Sequence, residues 1–314
     1  MLDYELFKKE MVAKFVSYLP DDLKNAELEI ITAEKINQQL DTMIVKQPDC
    51  NISPNIYLNQ FYEEYLATGD LEDVIEEAAN LYEIAFRKKD SIDMNRLKDI
   101  DFAKDKIVFQ LINTVQNRDM LKRMPHREFH DLSIVYRLVV DMEEDGISSI
   151  LITEDYANNF GMSEEELFVL AKDNTWNLLP PKIANMRDIM KNILALDDMD
   201  SLLDDTLDKN LYVISNDRGI NGAATMLYEN VFYELATELD SDLYILPSSV
   251  HEVIALAADG ITPEELADMV SEVNMSKVDL SERLSNQVYL YDKDLRKLSL
   301  ATDTPNKRLD GVIE

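Results

Sequence analysis

"GMSEEELFVLA" at residues 161–171 and "GITPEELADMV" at residues 260–270 share one pattern, which indicates where two helices begin. Each stretch places Gly, an apolar residue, Ser or Thr, and then a Glu three positions after the hydroxyl residue. This is the signature of a capping box, in which the hydroxyl residue caps a helix and the glutamate reaches back to the cap. The sequence therefore predicts that a helix begins at each stretch. The capping pairs are Ser163 with Glu166 and Thr262 with Glu265.

A pair of apolar segments with strand character precedes each of these helices. "LSIVYRLVVDM" and "ISSILIT" precede the first helix, and "DLYILP" and "EVIALAA" precede the second. Short apolar runs bounded by turns favour strands. Two similar ββα units, at about residues 104–178 and 210–275, could therefore share one sheet. The alternative is that good helix starts look alike and that the two units are not a repeat.

The N-terminal part of the chain predicts a helix, a hairpin and further helices. Residues 2–19 carry apolar side chains at every fourth position, and Pro20 ends this amphipathic helix. Two strand-like stretches flank Ile36–Gln39, which we expect to be a hairpin turn. The chain is thus predicted to be α+β, with a helix–hairpin–helix region at residues 1–92. An α+β core with a mixed or antiparallel sheet is expected at residues 93–301.

Three shorter features complete the predicted organisation. Residues 183–196 are expected to form a helix, and "LDDMDSLLDDTLDKN" after it an acidic connector. The tail at residues 302–314 has no apolar period and is expected to be mobile. The single tryptophan, Trp176, is expected to lie in the core.

Composition and charge limit the classes of partner. The 314 residues include one cysteine, so no internal disulfide can form and a reducing, cytoplasmic setting is expected. The first residues carry charges where a signal peptide is apolar, and no segment resembles a membrane span. The formal net charge is −31. This surplus disfavours direct binding to nucleic acid or to an anionic membrane, where Lys and Arg are needed.

Carboxylates are predicted to line one side of two helices. Between Arg218 and Lys277 the chain has neither Lys nor Arg. Four carboxylates on the helix at residues 263–274 span about 12 Å, which is one per ~3–4 Å and close to the ~3.4 Å per phosphate along one DNA strand. The alternative interpretation is an ordinary solvated surface. The predicted binding residues are Glu264, Glu265, Asp268, Glu272, Glu72, Asp73, Glu76 and Glu77.

"YILPSSVHEVIALA" raises the question of a hydrolase, because two hydroxyls lie beside a histidine and a glutamate. On a strand, Ser249 and His251 would share a face but lie roughly 6–7 Å apart, which is too far for a hydrogen bond. Glu252 would then face away. A Pro-Ser-Ser turn joining two strands is the favoured interpretation. The catalytic alternative needs distant residues such as Arg283 or His130.

Metal and cofactor signals are weak in this sequence. "HREFHD" places His126 and His130 four apart, followed by Asp131, and these three residues are the candidate metal ligands. On a helix the two imidazoles would share a face, but Pro125 favours a loop. "SNDRGINGAA" has two glycines but no phosphate-loop lysine. No cofactor is therefore predicted.

Several segments resemble a bacterial family catalogued only as a domain of unknown function. The segments are "YILPSSVHEVIAL", "VSEVNMSKVDLSERLSNQVYLYD", "ISPNIYLNQFYEEYLATGDLEDVIEE", "DKIVFQLIN" and "HDLSIVYRLVV". That family is frequent in Firmicutes and is often found near mobile genetic elements. The C-terminal half also resembles a second uncharacterised family, through "ITEDYANNFGMSEEELFVLAKDNT" and the Ser-Ser-x-His-Glu stretch. The resemblance implies that a shared set of residues recurs for a reason, which could be purely structural. The set is Ser248, Ser249, His251, Glu252, Asn274, Glu282 and Arg283.

Together these features predict a non-catalytic, acidic interaction protein. The expected partner is a basic protein, such as a nucleic-acid-binding protein of a defence or transfer system, which the chain would engage as an inhibitor or DNA mimic. The alternative is a hydrolase or metal-dependent enzyme that uses His251 with distant residues. The sequence does not predict the oligomeric state.

Overall fold

A computed structural model describes residues 1–48, 50, 53–88, 96–143, 146–194, 211–304 and 308–311. The chain divides into two compact units, Met1–Asn95 and Arg96–Glu314. The predicted boundary at residue 92 stays a prediction. Both units combine helices with antiparallel sheets, so the predicted α+β class is confirmed.

The first unit packs three helices against a three-stranded sheet. Its elements are α1 (Tyr4–Tyr18), β1 (Glu27–Lys35), β2 (Gln38–Lys46), β3 (Asn55–Tyr57), α2 (Leu58–Thr68) and α3 (Leu71–Lys88). The sheet order is β1-β2-β3 and all pairs are antiparallel. Asn37 adopts φ 66° in the turn between β1 and β2, a conformation that asparagine tolerates. β1 and β2 therefore form an antiparallel hairpin whose turn is shorter than the predicted Ile36–Gln39, because Gln38 and Gln39 belong to β2, and β3 extends the sheet.

Apolar periodicity explains the core of this unit. Phe7, Met11 and Phe15 recur at fourth positions on α1 and are fully buried. On α3 the buried side chains are Val74, Ile75, Ala78, Ala79 and Tyr82. This spacing turns one stripe of α3 to the core and leaves the opposite side to solvent.

The second unit contains two antiparallel sheets. Its elements are α4 (Ile100–Lys104), β4 (Ile107–Asn113), α5 (Arg118–Leu121), β5 (His126–Phe129), β6 (Leu132–Glu143), β7 (Gly146–Leu151), α6 (Glu154–Phe160), α7 (Glu164–Leu178), β8 (Pro181–Asn185), α8 (Met186–Leu194), β9 (Tyr212–Asn216), α9 (Glu229–Leu239), β10 (Leu243–Leu246), β11 (Val253–Ala257), α10 (Pro263–Lys277), β12 (Tyr289–Asp292) and β13 (Lys297–Leu300). In the four-stranded sheet, β6 pairs with β4, β5 and β7. The six-stranded sheet has the order β13-β12-β10-β11-β9-β8.

Both predicted capping boxes are present. Ser163 accepts from the backbone N–H of Glu166, whose carboxylate accepts from the N–H of Ser163 at 2.8 Å. Thr262 and Glu265 form the same arrangement at the start of α10. The helix starts predicted at these two sites are therefore confirmed.

The two capped helices lie on different sheets, so the prediction of one shared sheet is wrong. α7 packs against β4, and α10 packs against β10. The strands before α7, β6 and β7, belong to the four-stranded sheet, while β10 and β11 belong to the six-stranded one. β6 pairs with β4, β5 and β7, whereas β10 pairs with β11 and β12.

Two other expectations differ from the structure, and a third concerns residues outside the described ranges. The helix predicted from residue 183 begins only at Met186, because Pro181–Asn185 pairs with β9 as a strand. Part of the tail expected to be mobile is held: Thr302 donates to Gln287, and Leu309 is buried. The acidic connector that contains residues 197–210 lies outside the described residues.

Candidate functional site

The Ser-Ser-x-His-Glu stretch is a connection between β10 and β11, as the turn interpretation predicts. Residues 247–252 follow Leu246 and precede Val253, and only Ser249 forms an isolated bridge, with Arg283. Ser249 Oγ accepts a hydrogen bond from the backbone N–H of His251 at 3.0 Å. The strand geometry considered for these residues is therefore wrong, because this hydroxyl turns back on its own backbone. Glu252 is exposed.

His251 joins three segments of the second unit. Its backbone carbonyl accepts from Ser215 Oγ at 2.7 Å, and its Nδ1 accepts from the backbone N–H of Asn221 at 3.3 Å. In the neutral ring the proton then resides on Nε2, which lies 3.6 Å from Glu282 Oε1. The hydrogen bonds at Nδ1 and at the backbone carbonyl fasten the connection to the rest of the unit, while Nε2 lies beyond hydrogen-bond distance of Glu282.

Arg283, the distant catalytic candidate, binds backbone carbonyls. Its Nε donates to Val278 O at 2.9 Å and its Nη1 donates to Leu309 O at 2.7 Å. These bonds fasten the C-terminal segment and the end of α10. The structure therefore brings His251, Glu282 and Arg283 into one region, where the bonds that it shows for them tie loops together.

The three candidate metal ligands lie on and beside β5. His126 is on the strand, where its Nδ1 lies 2.9 Å from Met124 O, and His130 occupies the turn to β6 with φ 59°. A strand with a left-handed turn does not give the shared face that a helix would give to residues four apart. In the part of the chain that the structure describes, no three His, Cys, Asp or Glu side chains are grouped to hold a metal ion.

Asp131 instead takes part in a polar cluster. Ser285 Oγ donates to its Oδ2 at 2.6 Å, and the hydroxyl of Tyr289 donates to its Oδ1. The ring of His130 packs edge-on against Tyr289 at 5.4 Å between centroids. Burial raises the pKa of Asp131, and the two hydroxyl donors counteract part of this effect. Burial also raises the pKa of Tyr289.

The predicted acidic surface of α3 is exposed and lies opposite the buried stripe. We call Glu72, Asp73, Glu76 and Glu77 the acidic face. All four are exposed, and no Lys, Arg or His among the described residues forms an ion pair with them. The ion pair found on this helix, Arg87 with Glu83 at 2.7 Å, lies nearer its C-terminus. The acidic face therefore presents uncompensated negative charge.

Crowding of carboxyl groups extends this surface to α2. A hydrogen bond with Glu77 raises the pKa of Glu64, and the charge of Asp73 adds to the shift. Two carboxyl groups can share a hydrogen bond only when one of them holds a proton, so this contact shows how dense the negative charge is.

The carboxylates predicted on α10 are also exposed. Glu264, Asp268 and Glu272 lie on the side opposite the buried Leu266, Ala267 and Val270. Glu265 is exposed too, but its carboxylate is committed to the capping box, and the backbone N–H of Thr262 lowers its pKa. Three of the four predicted side chains on α10 are thus available to a partner.

A surface cleft that no sequence pattern predicted lies between α7 and the start of α9. Its volume is about 590 Å³. Trp176 forms part of its wall with 43% of its surface exposed, so the expectation of a core tryptophan is wrong. The helical period explains this, because Trp176 follows the buried Thr175 by about 100° around α7. The lining residues are Lys172, Asp173, Trp176, Asn177, Leu227, Tyr228, Glu229 and Asn230.

None of the helices within the described ranges combines the length and the apolar character that crossing a membrane would require.

Comparison with known proteins gives a family without a known activity. Residues 4–293 match the sequence pattern of a family described as "Family of unknown function (DUF5688)". No curated protein and no solved structure matches the chain. The expected membership of an uncharacterised family is therefore confirmed. The match carries neither an organism nor a genetic setting, so the expected bacterial group, the mobile-element setting and the second family stay predictions.

Proposed function

The chain belongs to DUF5688, a family of unknown function, and we propose that it is a non-catalytic interaction protein that docks a basic partner through α3. The observation that carries this proposal is the acidic face of α3, whose four carboxylates have no cationic partner among the described residues. Clustered charge of one sign steers an oppositely charged protein towards its docking site and speeds association.

Exposed apolar side chains beside the acidic face favour a docking surface over a face whose charge serves only to keep the protein in solution. Leu81 and Ile84 follow on the outer side of α3 and are 51% and 57% exposed. A solvated face needs no such residues, whereas an interface combines apolar anchors with charged surroundings. The same combination occurs on α10, where Met269 and Val273 are exposed near Asp268 and Glu272.

The nature of the partner is a further part of the proposal. The three available carboxylates on α10, Glu264, Asp268 and Glu272, follow one another at every fourth residue, about 6 Å of helix rise, and form a regular row of negative charge, as phosphates do at closer spacing on a DNA strand. A protein that binds nucleic acid through Lys and Arg would therefore find similar charge on this chain. The resemblance to a family found near mobile elements favours such a partner, with the chain as its inhibitor or DNA mimic.

The enzyme alternative has less support from the geometry. A serine hydrolase needs a hydroxyl within hydrogen-bond reach of an imidazole nitrogen. Ser249 Oγ is bound to a backbone N–H, and His251 Nδ1 accepts from another backbone N–H. Stoichiometric zinc in the purified protein that is lost on His130→Ala would restore this alternative.

The test compares capture of proteins from host lysate by two variants with equal charge. The face variant carries Glu72→Gln, Asp73→Asn, Glu76→Gln and Glu77→Gln. The scattered variant carries Glu128→Gln, Asp217→Asn, Glu234→Gln and Asp294→Asn, four exposed positions on separate segments. We expect the unmodified protein and the scattered variant to capture the same basic protein, and the face variant to bind it about tenfold more weakly or worse.

Salt dependence provides the second readout. Raising NaCl from about 50 mM to about 300 mM should release the partner, because screening shortens the reach of surface charge. Equal binding by both variants, or a partner that salt does not release, would contradict docking through α3.

A further inference from the structure

We infer that the cleft between α7 and α9 is a binding site for an organic cation, with a guanidinium or ammonium group seated against Trp176. This site goes beyond the docking surface on α3, since it lies in the second unit and is built from different residues. Its volume of about 590 Å³ falls within the usual range for small-molecule sites, about 300–1,000 Å³.

The aromatic wall has a fixed orientation. The rings of Trp176 and Tyr228 meet at 5.2 Å between centroids and at 63°, an edge contact that holds each ring in place. The hydroxyl of Tyr228 donates to the backbone carbonyl of Lys172 at 2.8 Å, which fixes this ring to α7. The exposed surface of Trp176 is therefore preorganised, and indole is the best side chain for cation–π contact.

Carboxylates surround this aromatic wall. Asp173 comes from α7 and Glu229 from the first turn of α9, so the two approach the cleft from different helices. Burial raises the pKa of Tyr228 to about 12, and the negative charge of Asp173 adds to this rise. Two carboxylates beside an indole provide both the charge and the π surface that a cation prefers.

The remaining polar residues suit a ligand with several N–H donors. Asn177 and Asn230 lie on the cleft and can accept through their amide oxygens. Lys172 is the one cation among the lining residues, so the lining retains a net charge of −1. An anionic ligand would meet two carboxylates here, which makes a cation the better match.

The single tryptophan of the chain makes the site directly observable. Because Trp176 is the only tryptophan, intrinsic tryptophan fluorescence reports on this cleft alone. The probe is N-acetyl-arginine methylamide, its neutral isostere N-acetyl-citrulline methylamide is the control, and ionic strength is held constant. We expect saturable quenching by the arginine probe, with binding at least about fivefold tighter than for citrulline.

Variants that neutralise either a negative or a positive side chain of the cleft lining provide a second test. Asp173→Asn and Glu229→Gln should each weaken binding of the arginine probe by about two- to fivefold, whereas Lys172→Gln should tighten it. All three positions are exposed, so the variants should keep the fold. Exchange of Asp294, which is exposed and not among the lining residues of the cleft, for Asn should leave binding unchanged.

Agmatine distinguishes the source of the cation. Tighter binding of N-acetyl-arginine methylamide than of agmatine indicates that the natural ligand is an arginine side chain of a protein. Tighter binding of agmatine indicates that the ligand is a free small cation. Both results support the site. Equal quenching by the citrulline probe, or weaker binding after Lys172→Gln, would overturn the inference.

Discussion

Gly222 lies against the connection that carries His251, and the contact leaves no space for a side chain. A Cβ atom at Gly222 would lie 2.1 Å from Ser215 Oγ and 2.3 Å from the backbone carbonyl oxygen of His251. The serine hydroxyl already donates to that carbonyl, so neither atom can move without loss of a hydrogen bond. Glycine is therefore required here for close approach of two backbone segments.

We expect Gly222→Ala to lower the free energy of unfolding by about 1–3 kcal/mol, the usual cost of inserting atoms into a packed site. Gly146→Ala is the matched control, because a Cβ at Gly146 meets nothing within 4 Å. Urea unfolding followed by circular dichroism measures both. Equal stability of the two variants would contradict this account of Gly222.

Asp131 predicts a dependence of stability on pH. Burial raises its pKa above the unfolded value, so the folded state favours the protonated carboxyl. Asp131 then makes its full contribution to the free energy of unfolding at a pH below its pKa in the unfolded chain, about 3.9. This contribution is lost as the pH rises through its pKa in the folded protein. The Asp131→Asn variant carries an amide at this position, and an amide does not titrate.

The stability of the unmodified protein relative to Asp131→Asn should therefore be larger in acid than at neutral pH. Urea unfolding of both proteins at several pH values between about 4 and 7 measures this difference. A difference that grows as the pH rises would show that the hydroxyls of Ser285 and Tyr289 outweigh burial.

The helices α7 and α10 show how far local sequence determines an element. Ser163 and Thr262 mark both helix starts because a capping box acts within four residues, so its signal is complete in the sequence. The sheet to which each strand belongs depends on partners far along the chain, and no local pattern encodes this choice. β8 was not predicted for the same reason: Pro181–Asn185 is short and has no alternating apolar pattern, and it becomes a strand through pairing with β9.

The two candidate sites also differ in how far the sequence predicts them. Exposure of Glu72, Asp73, Glu76 and Glu77 follows from the apolar period of α3 and could be predicted. The cleft beside Trp176 could not, because its second wall comes from α9, some fifty residues further along. Trp176 follows Thr175, which lies on the buried side of α7, by one position, and this was the signal that could have predicted that Trp176 is exposed.

Removal of either cap should destabilise the second unit. Ser163→Ala and Thr262→Ala should each lower the free energy of unfolding by about 1 kcal/mol, because a helix N–H loses its acceptor. Ser276→Ala, an exposed position in the last turns of α10, is the control and should cost nothing, since alanine favours helix. Thermal unfolding of the three variants measures this, and equal melting temperatures would contradict the role of the caps.

Charge acts on the molecule as a whole. Many of the surface ion pairs within the described ranges are local contacts on one helix, such as Lys14 with Glu10 and Lys122 with Asp119, and such pairs contribute little. Even if every Lys and Arg formed such a pair, 31 of the 62 Asp and Glu residues would remain unpaired. Self-repulsion of this size destabilises a compact state.

Added salt should therefore stabilise the protein. Between about 10 mM and about 1 M NaCl the screening length falls from about 30 Å to about 3 Å. If about 1 kcal/mol of repulsion is relieved, Tm should rise by about 2–4 °C. Differential scanning calorimetry measures the change, and the scattered variant, with four fewer negative charges, should gain less. A Tm that stays constant with salt would contradict this expectation.

The cluster around Asp131 has a consequence for biosynthesis. Its hydroxyl donor Ser285 lies 154 residues further along the chain, and Asn113 likewise donates to the carbonyl of Leu284. At roughly 5–20 residues per second, a ribosome needs about 8–30 s to supply these partners after Asp131 emerges. All strands of the four-stranded sheet are synthesised by residue 151, but Asp131 and Asn113 lack these partners until the last part of the message is translated. Holdase chaperones have that interval in which to act, and slow codons within it would lengthen the exposure.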